Sequence, residues 1–104
     1  MSGRELLAQI KPRLAEAYGA RLQSIVLYGS EARREAQPDS DIDLLVILRG
    51  PVHLWDDLRT AVRALFPLSL LWDRPISPMP VDSSDYAEGD CPLYRSVRHE
   101  GITL

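Results

Sequence analysis

The 104-residue sequence holds one cysteine, Cys91, one lysine, Lys11, and one phenylalanine, Phe66. A single thiol cannot close an internal disulfide, so nothing in the chain asks for an oxidising compartment. It equally excludes a metal site built on several thiolates. Long apolar runs are missing as well. The apolar runs at residues 44–48 and 70–72 fall far short of the roughly 20 residues that span a bilayer. Arg4 and Glu5 precede Leu6 and Leu7 with no apolar stretch of signal-peptide length. A cytoplasmic protein with no membrane partner is therefore expected. An excess of positive charge is also lacking, since the net charge is −3 and the pI about 5.3. Binders of nucleic acid usually carry a basic face, so this balance argues against nucleic acid as the main partner.

What remains is ordinary for a globular protein: 45% hydrophobic and 26% charged residues. The length predicts one domain over residues 1–104, with little chain left for a second, substrate-binding domain. Of the 12 basic residues all but Lys11 are arginine, a side chain suited to bidentate phosphate or carboxylate contacts.

Ser2 and Glu5 have capping-box spacing, which starts a helix at about Gly3. Leu6, Leu7, Ile10, Leu14 and Tyr18 continue it at helical spacing, with a bend or break expected at Pro12 and a stop at Gly19. Leu22–Tyr28 reads as a buried strand closed by Gly29. A short helix over residues 30–36 and a turn over 37–40 follow. Ile42–Leu48 is a second apolar strand. Trp55, Leu58, Val62, Leu65 and Phe66 mark one face of a second long helix, which should close near Pro67. A third strand is expected at 76–81, on a sheet edge because Pro78 and Pro80 have no N–H to donate to a strand on that side. Residues 83–90 read as a polar loop, Pro92–Glu100 as a last helix stopped by Gly101, and 102–104 as a trailing end. The order predicts an α/β (α+β) fold, one mixed sheet backed by helices.

Asp41 and Asp43 flank Ile42 at the start of a strand. Period-two geometry places both carboxylates on one face and Ile42 on the other, with Cβ atoms roughly 6–7 Å apart. Two like charges so close invite a cation. Mg²⁺ suits them, because it takes one or two carboxylates and completes its shell with water and phosphate oxygens. An isolated pair of this kind is more often a solvated turn. Gly29 and Ser30, where a strand ends, bring backbone N–H groups and a hydroxyl to one point without a bulky side chain. No lysine follows in the manner of a P-loop. Taken alone, either motif is weak.

Together, the run Tyr28-Gly29-Ser30-Glu31-Ala32-Arg33 and then Ser40-Asp41-Ile42-Asp43-Leu44-Leu45-Val46 resembles the signature of the minimal nucleotidyltransferase (MNT) family. That signature is Gly-Ser, ten residues, then Asp-x-Asp in a strand, with Ala-Arg just after the serine. The closing segment Pro92-Leu93-Tyr94-Arg95-Ser96-Val97-Arg98 is similar to the family's last helix. Where the family usually has glycine after the arginine, this chain has Arg34.

The resemblance implies a nucleotidyltransferase fold with a small mixed β-sheet flanked by helices. It implies transfer of AMP from ATP to a hydroxyl with release of pyrophosphate. Gly29 and Ser30 would hold the triphosphate, Asp41 and Asp43 would ligate two Mg²⁺ ions, and Arg33 would either touch the triphosphate or pair with Asp39 or a nearby glutamate. Small members resemble antitoxins of an MNT–HEPN toxin–antitoxin pair, which silence a helical HEPN partner by adding AMP to a tyrosine. Two alternatives stay open: a non-catalytic binding subunit of the same fold, and a small-molecule (aminoglycoside-type) nucleotidyltransferase, which usually adds a second domain.

Family members often carry a third carboxylate, which is not obvious here. Asp82 is one candidate and Asp73 the other. A helical crossover makes the second and third strands parallel, so Asp82 should lie at the far end of the sheet from Asp41 and Asp43. Asp73 is preferred as the third catalytic acid. His53 and His99 have no companions at ligand spacing. Trp55 and Trp72 read as core or interface residues. Leu93, Val97 and Ile102, with Arg95 and Arg98, form a candidate docking surface for the partner.

Overall fold

A computed structural model of the chain describes residues 3–35 and 40–104. Helix α1, Gly3–Tyr18, buries Leu6, Ile10, Leu14 and Tyr18 at the expected spacing. Ser2, the expected cap, lies outside the described residues. Pro12 neither breaks nor ends the helix. It sits on the exposed face together with Ala8, whose carbonyl Pro12 cannot serve and water can reach. Gly19 stops the helix at a φ of 60°, and a 3-10 turn, Gly19–Arg21, leads into strand β1, Leu22–Tyr28.

Strand β2 is Ile42–Leu48, and helix α2, Leu54–Trp72, crosses over to strand β3, Ile76–Asp82. α2 does not close near Pro67. That proline is exposed, and beyond it Leu68 is fully buried while Trp72 packs against the core. Packing thus overrides the lost hydrogen bond. The expected apolar face of α2 is also corrected. Leu65 is buried, but Trp55, Val62 and Phe66 are 72%, 46% and 57% exposed. The helix turns Asp57, Ala61, Leu65 and Leu68 inward instead. Asp57 on the inner stripe receives two hydrogen bonds from Arg21, and this polar anchor fixes the rotation.

The sheet order is β3-β2-β1-β4, with β3 at the edge as its prolines require. β1 and β2 are antiparallel, and β2 and β3 are parallel. The last residues do not trail off: β4, Ile102–Thr103, pairs antiparallel with β1, opposite Leu27 and Val26. It covers backbone groups that β1 would otherwise leave as an open edge. Residues 83–90 are not all loop either. Asp82 caps a short helix α3, Ser83–Glu88, by accepting from the Ser84 N–H. Helix α4 is Pro92–Glu100.

Alternation along the strands separates two cores. Ile25, Leu27, Ile42, Leu44, Val46 and Leu48 face α1 and α2. On the other side Val26, Leu45 and Ile47 pack with Val97 of α4, joined by Tyr28, Tyr86 and Tyr94. No helix among the described residues is long and apolar enough to cross a membrane.

Candidate active site

The odd-numbered face of β2 is the α3/α4 side of the sheet, and its first strand residue on that side is Asp43. Ile42 is fully buried on the opposite side, as the alternation requires. Asp41 is exposed just before the strand, and Asp43 is half-buried beside Tyr28, its partner across β1. Burial first, and then the neighbouring Asp41, push the Asp43 carboxyl above its ordinary range, with Arg33 opposing. Burial and Asp43 together raise the Tyr28 phenol.

Glycine is favoured at position 29 on two counts. Its φ is 76°, a conformation that side chains disfavour. A Cβ there would also collide with Oδ2 of Asp43. The glycine therefore brings bare backbone against a carboxylate oxygen, and the phosphate-side motif and the acidic motif become one site. Among the described residues 30–35, the helix expected over 30–36 does not form. Residues 29–34 form turns, with Arg33 N–H donating to Gly29 O at 3.2 Å and Glu35 N–H to Ser30 O at 2.9 Å. Arg34 adopts a φ of 59°, which ends any helix after one turn. Any anion held here would meet the N–H groups of a turn and not a helix dipole. Residues 36–39, including Asp39 and most of the expected turn, lie outside the described residues.

Arg33 donates to Glu35 at 3.1 Å and to Glu100 at 3.2 Å. A groove of about 360 Å³, lined by Tyr28, Gly29, Arg33, Leu93, Ser96 and Glu100, opens between the turn and α4. Of the candidate docking residues, Val97 is buried in the core while Leu93 and Ile102 are exposed.

Asp73 caps α2 in the left-handed conformation. Asp82 pairs with Leu48 at the far end of the strands, as the parallel crossover requires. Among the described residues no group of three or more His, Cys, Asp or Glu side chains converges, so Asp73 is not brought together with Asp41 and Asp43. Directly beside Asp43 on β3 stands Ser77, whose hydroxyl donates to Asp41 Oδ2 at 3.3 Å. Sequence reasoning missed Ser77 and also Arg74, which reaches Ser40 and Glu31. Only the register of β3 against β2 would have exposed the first.

The donor set fits one Mg²⁺. Asp41 adjoins Asp43 and pushes its carboxyl up, and a cation bound between them would relieve that repulsion.

A solved minimal nucleotidyltransferase is similar over 100% of this chain and 97% of its own, at 27% identity and a TM-score of 0.64. Spectinomycin adenyltransferase from Enterococcus faecialis, solved with ATP and spectinomycin, matches 88% of this chain at 20% identity and a TM-score of 0.68. The chain spans only 38% of that enzyme. A toxin–antitoxin structure with AMP-PNP matches 98% of the chain and 72% of its own, at 16% identity and a TM-score of 0.61. No curated protein sequence matches. The model of the nucleotidyltransferase domain family matches residues 7–90, most of the sequence and every part of the site but α4. The chain belongs to the nucleotidyltransferase domain family.

Proposed function

We propose that this chain transfers AMP from ATP, with Mg²⁺, to a tyrosine hydroxyl of a HEPN-like helical partner, and so acts as an antitoxin in the cytoplasm. The observation that carries the reading is the close approach of Gly29 to Asp43, where an added Cβ would meet the carboxylate Oδ2. It brings the Gly-Ser turn beside the acidic pair, which supports a site where one would hold phosphates and the other a metal. The toxin–antitoxin relative and the ATP-bound relative support partner and nucleotide.

In this reading the backbone of Gly29 and the hydroxyl of Ser30 hold the triphosphate. Asp41 and Asp43 would hold Mg²⁺, which would supply Lewis-acid activation of the phosphates and offset their negative charge. Ser77 orients Asp41 through its hydrogen bond. Arg33, already paired with two glutamates, adds positive potential near the phosphates. The groove beside α4 receives the acceptor, and Leu93 and Ile102 offer it apolar contact. Asp73 lies at the end of β3 nearer the pair than Asp82, but it does not meet Asp41 and Asp43 among the described residues, so serving as the third acid would require it to move toward them. Comparison of Asp73→Asn with Asp82→Asn tests that assignment.

One observation favours a second reading, a non-catalytic binding subunit: the two carboxylates have no third among the described residues. Incubation of the chain with a HEPN-like protein, Mg²⁺ and ATP, followed by mass spectrometry, decides between them. A gain of AMP on a partner tyrosine supports transfer. A stable complex with no mass change supports the binding subunit. Adenylylation of a free aminoglycoside instead overturns both.

A further inference from the structure

Arg74 belongs neither to the carboxylate pair nor to the glycine turn, yet it touches the segment that carries each. It stands at the corner between α2 and β3 with a side chain only 10% exposed, and arginine is seldom so buried without dedicated partners. Its Nε donates to Ser40 O at 2.9 Å, and a terminal nitrogen donates to Glu31 Oε2 at 3.1 Å. The guanidinium also lies 5.3 Å from the Trp72 ring centre. Ser40 immediately precedes Asp41, and Glu31 immediately follows Ser30. Alongside, Ile42 N–H donates to Pro75 O at 2.9 Å. One planar group therefore cross-links the start of β2 to the turn that follows β1.

We propose that Arg74 is a positioning residue for the nucleotide site, holding Ser30 and Asp41 in register through Glu31 and the Ser40 carbonyl. The inference rests on the ATP-binding reading above. A guanidinium presents donors in two fixed in-plane directions, whereas a lysine ammonium is a single point charge and cannot match both. Glu31 is itself only 21% exposed, so water competes weakly with the pair and it outweighs an ordinary surface bridge. Displacement of reacting groups by about 1 Å costs on the order of a hundredfold in rate. A brace between the two halves of the site therefore acts on binding and rate, beyond its part in holding the fold.

The test is titration calorimetry of the full chain with MgATP, beside thermal melts, for wild type, Arg74→Lys, Arg74→Gln and Glu31→Gln. Binding is measured well below every melting point, where a purely structural role would leave affinity unchanged. Arg74→Gln is expected to weaken MgATP binding on the order of tenfold, with Arg74→Lys partly restoring it. Glu31→Gln should weaken it less, and the double variant should lose less than the two singles combined. Wild-type binding with unchanged affinity in a folded Arg74→Gln overturns the proposal and leaves the ATP reading standing. Should Arg74→Gln fail to fold, Glu31→Gln decides: wild-type affinity there overturns the brace. No binding of MgATP to wild type overturns the ATP reading, and the brace falls with it.

Discussion

The two ends of the sheet treat a carboxylate in opposite ways. At the end where β1 begins and β2 finishes, Asp57 is 6% exposed and fully served. Arg21 meets its two oxygens at 2.9 and 3.0 Å, and the His53 N–H donates at 3.0 Å. Arg21 is held in turn by the Pro51 carbonyl at 3.1 Å, and Tyr18 donates to the Asp57 carbonyl. The Arg21 hydrogen bonds hold the Asp57 carboxyl below its usual range. At the other end Asp43 is raised by burial and by Asp41. One carboxylate has its cation built in, and the other faces a second anion. The contrast separates a charge that holds the fold from the charge that the proposed function assigns to a ligand.

The largest effect should come from removing the unmatched charge. Asp43→Asn or Asp41→Asn is expected to lower AMP transfer on the order of a thousandfold or more, because each deletes a proposed metal ligand. Stability should move the other way. An acid whose folded pKa is raised loses stability as pH climbs from its unfolded value through the folded one. Metal-free Asp43→Asn should therefore melt above wild type at neutral pH, and the gap should close in acid. Transfer of radiolabelled AMP and melting curves at several pH values check both halves. A variant that keeps wild-type transfer would remove the distinction between the two ends.

Asp57→Ala is the complementary cut, and it should cost about 2–3 kcal/mol. This falls at or below the low end for a fully buried pair because Arg21 is 41% exposed on its side chain. Here the folded pKa is depressed, so the stability is present above the unfolded value and disappears as pH falls toward the folded one. Urea titrations should show the wild-type advantage shrinking below about pH 4. MgATP affinity of the folded variant should be unchanged, since the pair lies at the far end of the strands.

The two ends were also unequally legible in the sequence. β1, β2 and α4 have the expected bounds, because dense apolar runs between Gly, Pro and polar turns leave little choice. The joining of Gly29 with Asp41 and Asp43 was legible as a motif, and the structure adds the contact that explains the glycine. Arg21–Asp57 was not legible, since an aspartate on the buried stripe of α2 looks like a gap in the hydrophobic pattern. The same gap led to Trp55, Val62 and Phe66 as the inner face. Prolines misled at positions 12 and 67, where solvent can hydrate the carbonyls they leave. Ser77 and Arg74 depend on strand register and on a corner between elements, which local periodicity does not encode.

Ser77→Asp would sharpen the contrast by adding a third carboxylate opposite Asp43. Binding of Mn²⁺ alone, followed by calorimetry, should tighten on the order of tenfold, because affinity for hard cations follows the number of charged oxygens. The metal-free variant should melt lower, since it loses the hydroxyl bond to Asp41 and gains a like charge. If metal binding is unmoved, β3 does not form the third wall of the site.

The smallest effect concerns backbone strain, which also divides the two ends. Where the far end needs a positive φ it uses Gly19, at 60°. The site end uses Gly29, at 76°, but also places Arg34 at 59° and Asp73 at 54°. Aspartate tolerates that conformation better than most residues, because its short side chain bonds locally, whereas arginine gains nothing comparable. Arg34 is exposed, so its replacement opens no cavity. Arg34→Gly should relieve a steric cost of about 1–2 kcal/mol, partly offset by the larger entropy that glycine loses on folding. A net gain of about 0.5–1 kcal/mol is expected, read as a higher denaturation midpoint with an unchanged slope. Gly19→Ala makes the opposite change at the far end. With nothing within 4 Å of the added Cβ, its loss of stability reports the left-handed backbone alone. A stabilising Gly19→Ala or a destabilising Arg34→Gly would show that strain is not distributed between the ends as the dihedral angles indicate.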